Sequence, residues 1–145
     1  MGALAKDTWR AYAAGAPRDV MRYGVLASTK IYEGAMVMES ESTGYATNLT
    51  GTGTSDGFLG IALRQADNSA SAVNGAKEVD VVARGLVELE VSGASVASLQ
   101  AAVYATTTGD ITLTSTSAKQ IGKVAQHISG EKCLVFIEGG PFRSI

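Results

Sequence analysis

The residue types that do most protein chemistry are scarce in this chain. There is one histidine, His127, and one cysteine, Cys133. A histidine base works beside a nucleophile and an orienting acid, and nothing near His127 supplies either. A zinc site needs several Cys or His ligands at fixed spacing; one of each, six positions apart, is not such a set. Cys133 sits in the apolar run Cys133-Leu134-Val135-Phe136-Ile137, where a cysteine is a small buried hydrophobe. Without basic neighbours and exposure it is not a reactive thiol.

Four other patterns invite a chemical reading. Gly51 to Gly57 (GTGTSDG) has the glycine content of a phosphate loop. It lacks the Lys-Ser/Thr pair, its third glycine is misplaced for a dinucleotide fingerprint, and it leads into a strand rather than a helix. Glu39 and Glu41 are paired carboxylates of the kind glycosidases use, but on the stretch MVMESEST they read as edge charges that discourage strand-to-strand aggregation. Asn48-Leu49-Thr50 matches a glycosylation acceptor, which requires a secretory route. Asp67-Asn68-Ser69 is a turn former, with too few carboxylates around it for calcium. The sequence therefore predicts no catalytic, cofactor-binding or metal-binding residue, and no cofactor.

Composition narrows the remaining classes. A chain of 145 residues suits one domain. A net charge of −2, with 18% charged residues, creates no strong field to attract nucleic acid or an anionic membrane. No apolar stretch approaches a transmembrane length. Lys6, Asp7 and Arg10 interrupt any signal-peptide core, so the expected place of synthesis is a cytoplasm.

Seventeen glycines, two prolines and abundant Ala, Ser, Thr and Val suit many short strands joined by tight turns. The clearest segment is Val79 to Val91. Val79, Val81 and Ala83 share parity with Val87, Leu89 and Val91, which predicts one long strand kinked at Gly85, with Glu88 and Glu90 on its outer face. Leu59, Ile61 and Leu63 are expected on one face of another strand, with Gly60 opening the other to a close neighbour. Ser129-Gly130-Glu131 predicts a hairpin between the last two strands. Ser95 to Gln100 is the one expected helical turn, capped by Ser95 with Val96 and Leu99 pointing inward. About ten short strands predict an all-β fold, a small β-barrel or β-sandwich, with one short helix and an extended N-terminal arm.

The expected organisation is an arm over 1–20, a single β domain over 21–140 and a tail over 141–145. The arm carries the chain's one tryptophan, Trp9, with Tyr12 three positions on; that spacing fits one face of a short helix that Gly15 and Pro17 end at once. Because tryptophan is enriched among interface anchors, the arm is expected to project and dock, with Trp9, Arg10 and Tyr12 as contact residues.

In their order, several short motifs resemble the decoration (cement, or head-stabilising) proteins of tailed-phage capsids. They are Ile31-Tyr32-Glu33-Gly34-Ala35 with Val37, Gly44-Tyr45-Ala46, Phe58-Leu59-Gly60-Ile61-Ala62, Asp67-Asn68, Val79-Asp80-Val81 and Arg84-Gly85, followed by Val91-Ser92-Gly93-Ala94, Val103-Tyr104-Ala105 and Ile121-Gly122-Lys123-Val124. The resemblance spans roughly residues 20–137 and leaves out the arm and the loop after Asn48. It implies a β-tulip-like fold and a structural, non-enzymatic virion protein on the capsid exterior. Such a protein would bridge neighbouring major capsid subunits as a homotrimer at three-fold or quasi-three-fold positions, with no nucleic acid or membrane as partner. Two other readings are a carbohydrate- or receptor-binding β module, with Tyr45 and Tyr104 lining a sugar site, and another virion part such as a tail or head-completion protein.

Overall fold

The strand-rich pattern folds into eleven strands among the described residues, which in the computed structural model are 7–13, 15, 17–40, 43–48, 57–106, 110–115 and 118–142. In chain order they are β1 (Asp19–Gly24), β2 (Thr29–Ile31), β3 (Met36–Glu39), β4 (Ala46–Asn48), β5 (Phe58–Ala62) and β6 (Ala66–Asn68), then β7 (Glu78–Glu90), β8 (Ala102–Thr106), β9 (Ile111–Thr112), β10 (Ala118–Ser129) and β11 (Lys132–Glu138). The fold is all-β, with one curled, half-barrel sheet ordered β4-β3-β5-β7-β11-β10-β8-β9. β1 adds to β7, and β2 and β6 form a separate two-stranded ribbon.

β7 is the spine, as its continuous Val-rich sequence predicts, and it runs unbroken through Gly85. Val82 faces Val20 of β1 on one side and Ile61 of β5 on the other; Arg84 faces Asp19 of β1 and Glu138 of β11. β5 and β11 therefore follow one another along the same edge of β7, while β1 lies on the opposite edge. The β5-β3-β4 wing and the β11-β10-β8-β9 wing diverge from that shared edge. Their inner faces enclose the main core, built from Met38, Phe58, Ile61, Val87, Ile121 and Ile137 among others. Burying each such side chain contributes roughly 1.5–3 kcal/mol.

The parity expected for β7 is corrected by a bulge. Asp19 pairs with Arg84 but Val20 pairs with Val82, so Ala83 has no residue opposite it. One extra residue in a strand reverses which side chains face which side. Val82, Val87, Leu89 and Val91 thus join the main core, whereas Val79 and Val81 face a second cluster with Val25, Ile31, Val37 and Leu59. Glu88 and Glu90 are exposed, as expected. β5 behaves in the same way. Val37 pairs with Gly60 and Met38 with Phe58, leaving Leu59 unopposed. Leu59 therefore enters the second cluster and Ile61 the main one, instead of sharing a face. Gly60 is required where it stands: its φ is +150°, and a Cβ there would overlap the Val82 carbonyl. The β2–β6 ribbon contributes Ile31 and Ala66 to the second cluster, so every residue of β5 is buried.

The expected helix is a single 3-10 turn, Val96–Ser98, and its inward face is not the expected one. Ser95 and Ser98 form a reciprocal cap: Ser95 N–H donates to Ser98 Oγ at 3.0 Å, and the Ser95 hydroxyl accepts from Ala97 N–H. In a 3-10 turn residues i and i+3 are eclipsed. Ser98 takes the inner side, and Val96 and Leu99 stand 73% and 57% exposed. The hairpin between β10 and β11 closes at Gly130-Glu131 with Ser129 opposite Lys132, as predicted.

Candidate interaction surface

The arm neither projects nor forms a helix over the described residues. It runs extended along the edge of β7 that β1 leaves open. Tyr12 is bridged to Val87, which pairs with Val135 of β11 on its other side. Ala13 N–H donates to Leu86 O at 3.1 Å, and Glu88 N–H donates to Ala11 O at 2.8 Å. The physical reason is the edge itself. β7 would otherwise present unpaired backbone groups at 86 and 88, and an extended arm satisfies them, whereas an isolated short helix is marginal.

Further towards the N-terminus the arm is pinned to the turn that follows β2. Thr8 N–H donates to Glu33 O at 2.7 Å, and the Asp7 carboxylate accepts from Glu33 N–H at 2.9 Å and from Gln65 Nε2. Arg10 Nε donates to Gly34 O at 3.1 Å. Gly34 makes this possible. Its φ is +84°, and a Cβ there would overlap the Thr8 carbonyl and lie 3.2 Å from Arg10 Nε.

The three contact residues expected from sequence come together in one pocket of roughly 160 Å³, lined by Thr8, Trp9, Arg10, Tyr12, Arg18 and Glu33 together with Ala62 and Leu63. They are not equivalent. Trp9 is 77% exposed. Tyr12 is half-buried and packs against the main core, with the Arg18 guanidinium 5.0 Å from its ring centre. Its hydroxyl is buried without a hydrogen-bond partner, and burial pushes its pKa up to about 12. Arg10 is partly buried, and desolvation lowers its pKa. Among the described residues the ion pairs are Arg22–Asp80, Lys30–Asp67 and Arg84–Asp19; neither Arg10 nor Arg18 belongs to one. The pocket is below the roughly 300–1,000 Å³ of small-molecule sites, so its scale is that of a side-chain contact.

Arg18 and Glu33 were not legible as members of this site. Both reach it through tertiary packing: Pro17 and Arg18 lie directly against Gly85, where a Cβ would come within 2.9 Å of Arg18. The glycine at the predicted kink was the available signal.

The other sequence candidates fall apart as sites. His127 Nε2 lies 2.8 Å from Gly130 O and braces its own hairpin. Cys133 is fully buried, and burial raises its thiol pKa. Among the described residues no three His, Cys, Asp or Glu side chains gather as a metal site. No helix of the described residues is long and apolar enough to cross a membrane. Glu39 is exposed at the end of β3, while Glu41 and the loop over 49–56 lie outside the described residues. Asn48 Nδ2 donates to Lys30 O. Asp67 accepts from Ser69 N–H and from its hydroxyl, forming the expected turn, and those bonds lower its pKa. Asn68, its neighbour, is a buried brace that donates to the carbonyls of Val25, Leu26 and Val73. Tyr45 precedes β4 and Tyr104 lies in β8, towards opposite ends of the strand order, so the sheet does not pair them as neighbouring walls of a sugar groove.

The family described as XM1 gp53 minor capsid protein matches residues 2–132. No curated protein matches the chain. With that match covering nearly the whole sequence, the chain belongs to the XM1 gp53 minor capsid protein family and is a structural capsid protein of a phage virion.

Proposed function

We propose that this protein binds the outer surface of the phage capsid and stabilises it by bridging neighbouring major capsid subunits, without catalytic activity. The observation that carries the reading is Trp9, 77% exposed on an arm that is itself tied into the sheet. An exposed tryptophan is enriched at interface hot spots, and a backbone already ordered in the free protein loses less entropy on docking. Trp9 and Arg10 present the contact and Tyr12 anchors it to the core. The working unit is a homotrimer at three-fold or quasi-three-fold positions, where each copy repeats the same modest contact and effective concentration multiplies the three. Neither nucleic acid nor membrane takes part.

Electron microscopy of the virion with the protein bound tests this. The expected density is a three-fold cluster on the capsid exterior, with the arm against a major capsid subunit. Density at the tail, at the connector or inside the shell refutes it.

A further inference from the structure

The pocket beneath Trp9 holds two cations that are not paired. Arg10 and Arg18 both line it, and neither is within ion-pair distance of a carboxylate among the described residues. Glu33 is the single acidic residue in the lining and bridges to neither. Arg10 is the more telling of the two. It is partly buried and spends only Nε on Gly34 O. A guanidinium has five donors in a planar fork that matches a carboxylate. A guanidinium withdrawn from water without a counter-ion is unfavourable in the free protein, and an incoming carboxylate relieves that. The roughly 160 Å³ of space is on the scale of one side chain and below that of small-molecule sites. The lining sets two arginines against one glutamate in a chain of net charge −2.

We infer that this pocket receives the carboxylate of an acidic side chain on the capsid subunit that the arm contacts, with Arg10 and Arg18 recognising it and Trp9 covering the contact from water. The inference deepens the proposed function and rests on its reading of the arm. Sequestration by the indole raises the strength of the charge-assisted bonds beneath it.

The test is titration of purified full-length protein onto phage shells freed of it, followed by co-sedimentation and by the emission of Trp9, the one tryptophan present. On binding, the emission shifts to shorter wavelength, and added salt weakens attachment. Arg10→Gln weakens attachment about 10- to 100-fold, the range for losing a hydrogen bond to a charged group, and Arg10→Lys restores part of it. Because Arg10 also ties the arm to Gly34, Arg18→Gln is the second variant, and it too weakens attachment. If both Gln variants bind like the wild type while Trp9→Ala does not, the carboxylate assignment fails and the arm reading stands. If Trp9→Ala also binds like the wild type, the arm reading fails with it. If Arg10→Gln abolishes self-association and leaves shell binding intact, the acid belongs to a second copy and the capsid assignment is overturned.

Discussion

Replacing Tyr12 with phenylalanine should make the free protein more stable. The Tyr12 ring packs against the main core, and its hydroxyl is buried with no hydrogen-bond partner. In the unfolded chain that hydroxyl is bonded to water. Folding strips it, and a buried unsatisfied polar group costs about 1–3 kcal/mol. Phenylalanine keeps the ring and removes the penalty, so Tyr12→Phe should gain about 1 kcal/mol, seen as a rise of roughly 4 °C in Tm for a chain of this size. The pH dependence supplies a second signature. The unfolded phenol ionises near 10, whereas the folded one holds its proton to about 12. Between those values the unfolded state binds fewer protons, so the wild type loses stability as pH rises. Tyr12→Phe lacks that loss, and its advantage should widen from pH 9 to pH 11. Calorimetric melting across that range measures both effects. A Tyr12→Phe protein that is 1 kcal/mol less stable, or whose advantage does not grow in alkali, would refute the reasoning by showing that the hydroxyl is satisfied.

Three further outcomes are expected. Asn68→Ala removes a buried amide whose two N–H groups are shared among the carbonyls of Val25, Leu26 and Val73; at about 1 kcal/mol per N–H it should lose about 2 kcal/mol in urea denaturation, and a loss under about 0.5 kcal/mol would mean the carbonyls find other donors. Gly34→Ala places a Cβ against Thr8 and Arg10 at a φ of +84°. It should loosen the arm, seen as faster amide exchange at Thr8, Ala13 and Glu88 with β11 unchanged; full protection at those amides contradicts the pinning. Trp9→Ala touches little of its own chain and should leave stability within about 0.5 kcal/mol while shell attachment falls, so a large drop in Tm would reassign Trp9 to the core.

Much of the strand content was legible because it depends on local pattern. The alternation of Val79 to Val91, the turn at Gly130-Glu131 and the close approach at Gly60 each follow from side-chain period or from the missing Cβ. What escaped was which face each strand presents. The two unopposed residues, Ala83 and Leu59, are chemically ordinary, and nothing in their identity marks a bulge. A bulge is decided by how two strands of different twist and length fit together, which is a property of the pair. The inward face expected for Val96 and Leu99 failed for a related reason: the reciprocal cap of Ser95 and Ser98 outweighs the apolar preference over so short a turn.

The residues that matter for binding show the same division. Trp9, Arg10 and Tyr12 stand out by residue type, because an arm containing the one tryptophan of a low-charge chain is conspicuous. The sequence by itself thus determined an all-β chain without a recognisable catalytic motif and with an aromatic arm. Only the tertiary structure decided that the arm lies down as an extended segment along β7, sinks Tyr12, leaves Trp9 in water and brings Arg18 and Glu33 to the same pocket. The reason is that an arm's conformation is set by the hydrogen-bonding edge it meets. The open edge of β7 exists only once β5 and β11 have taken the other.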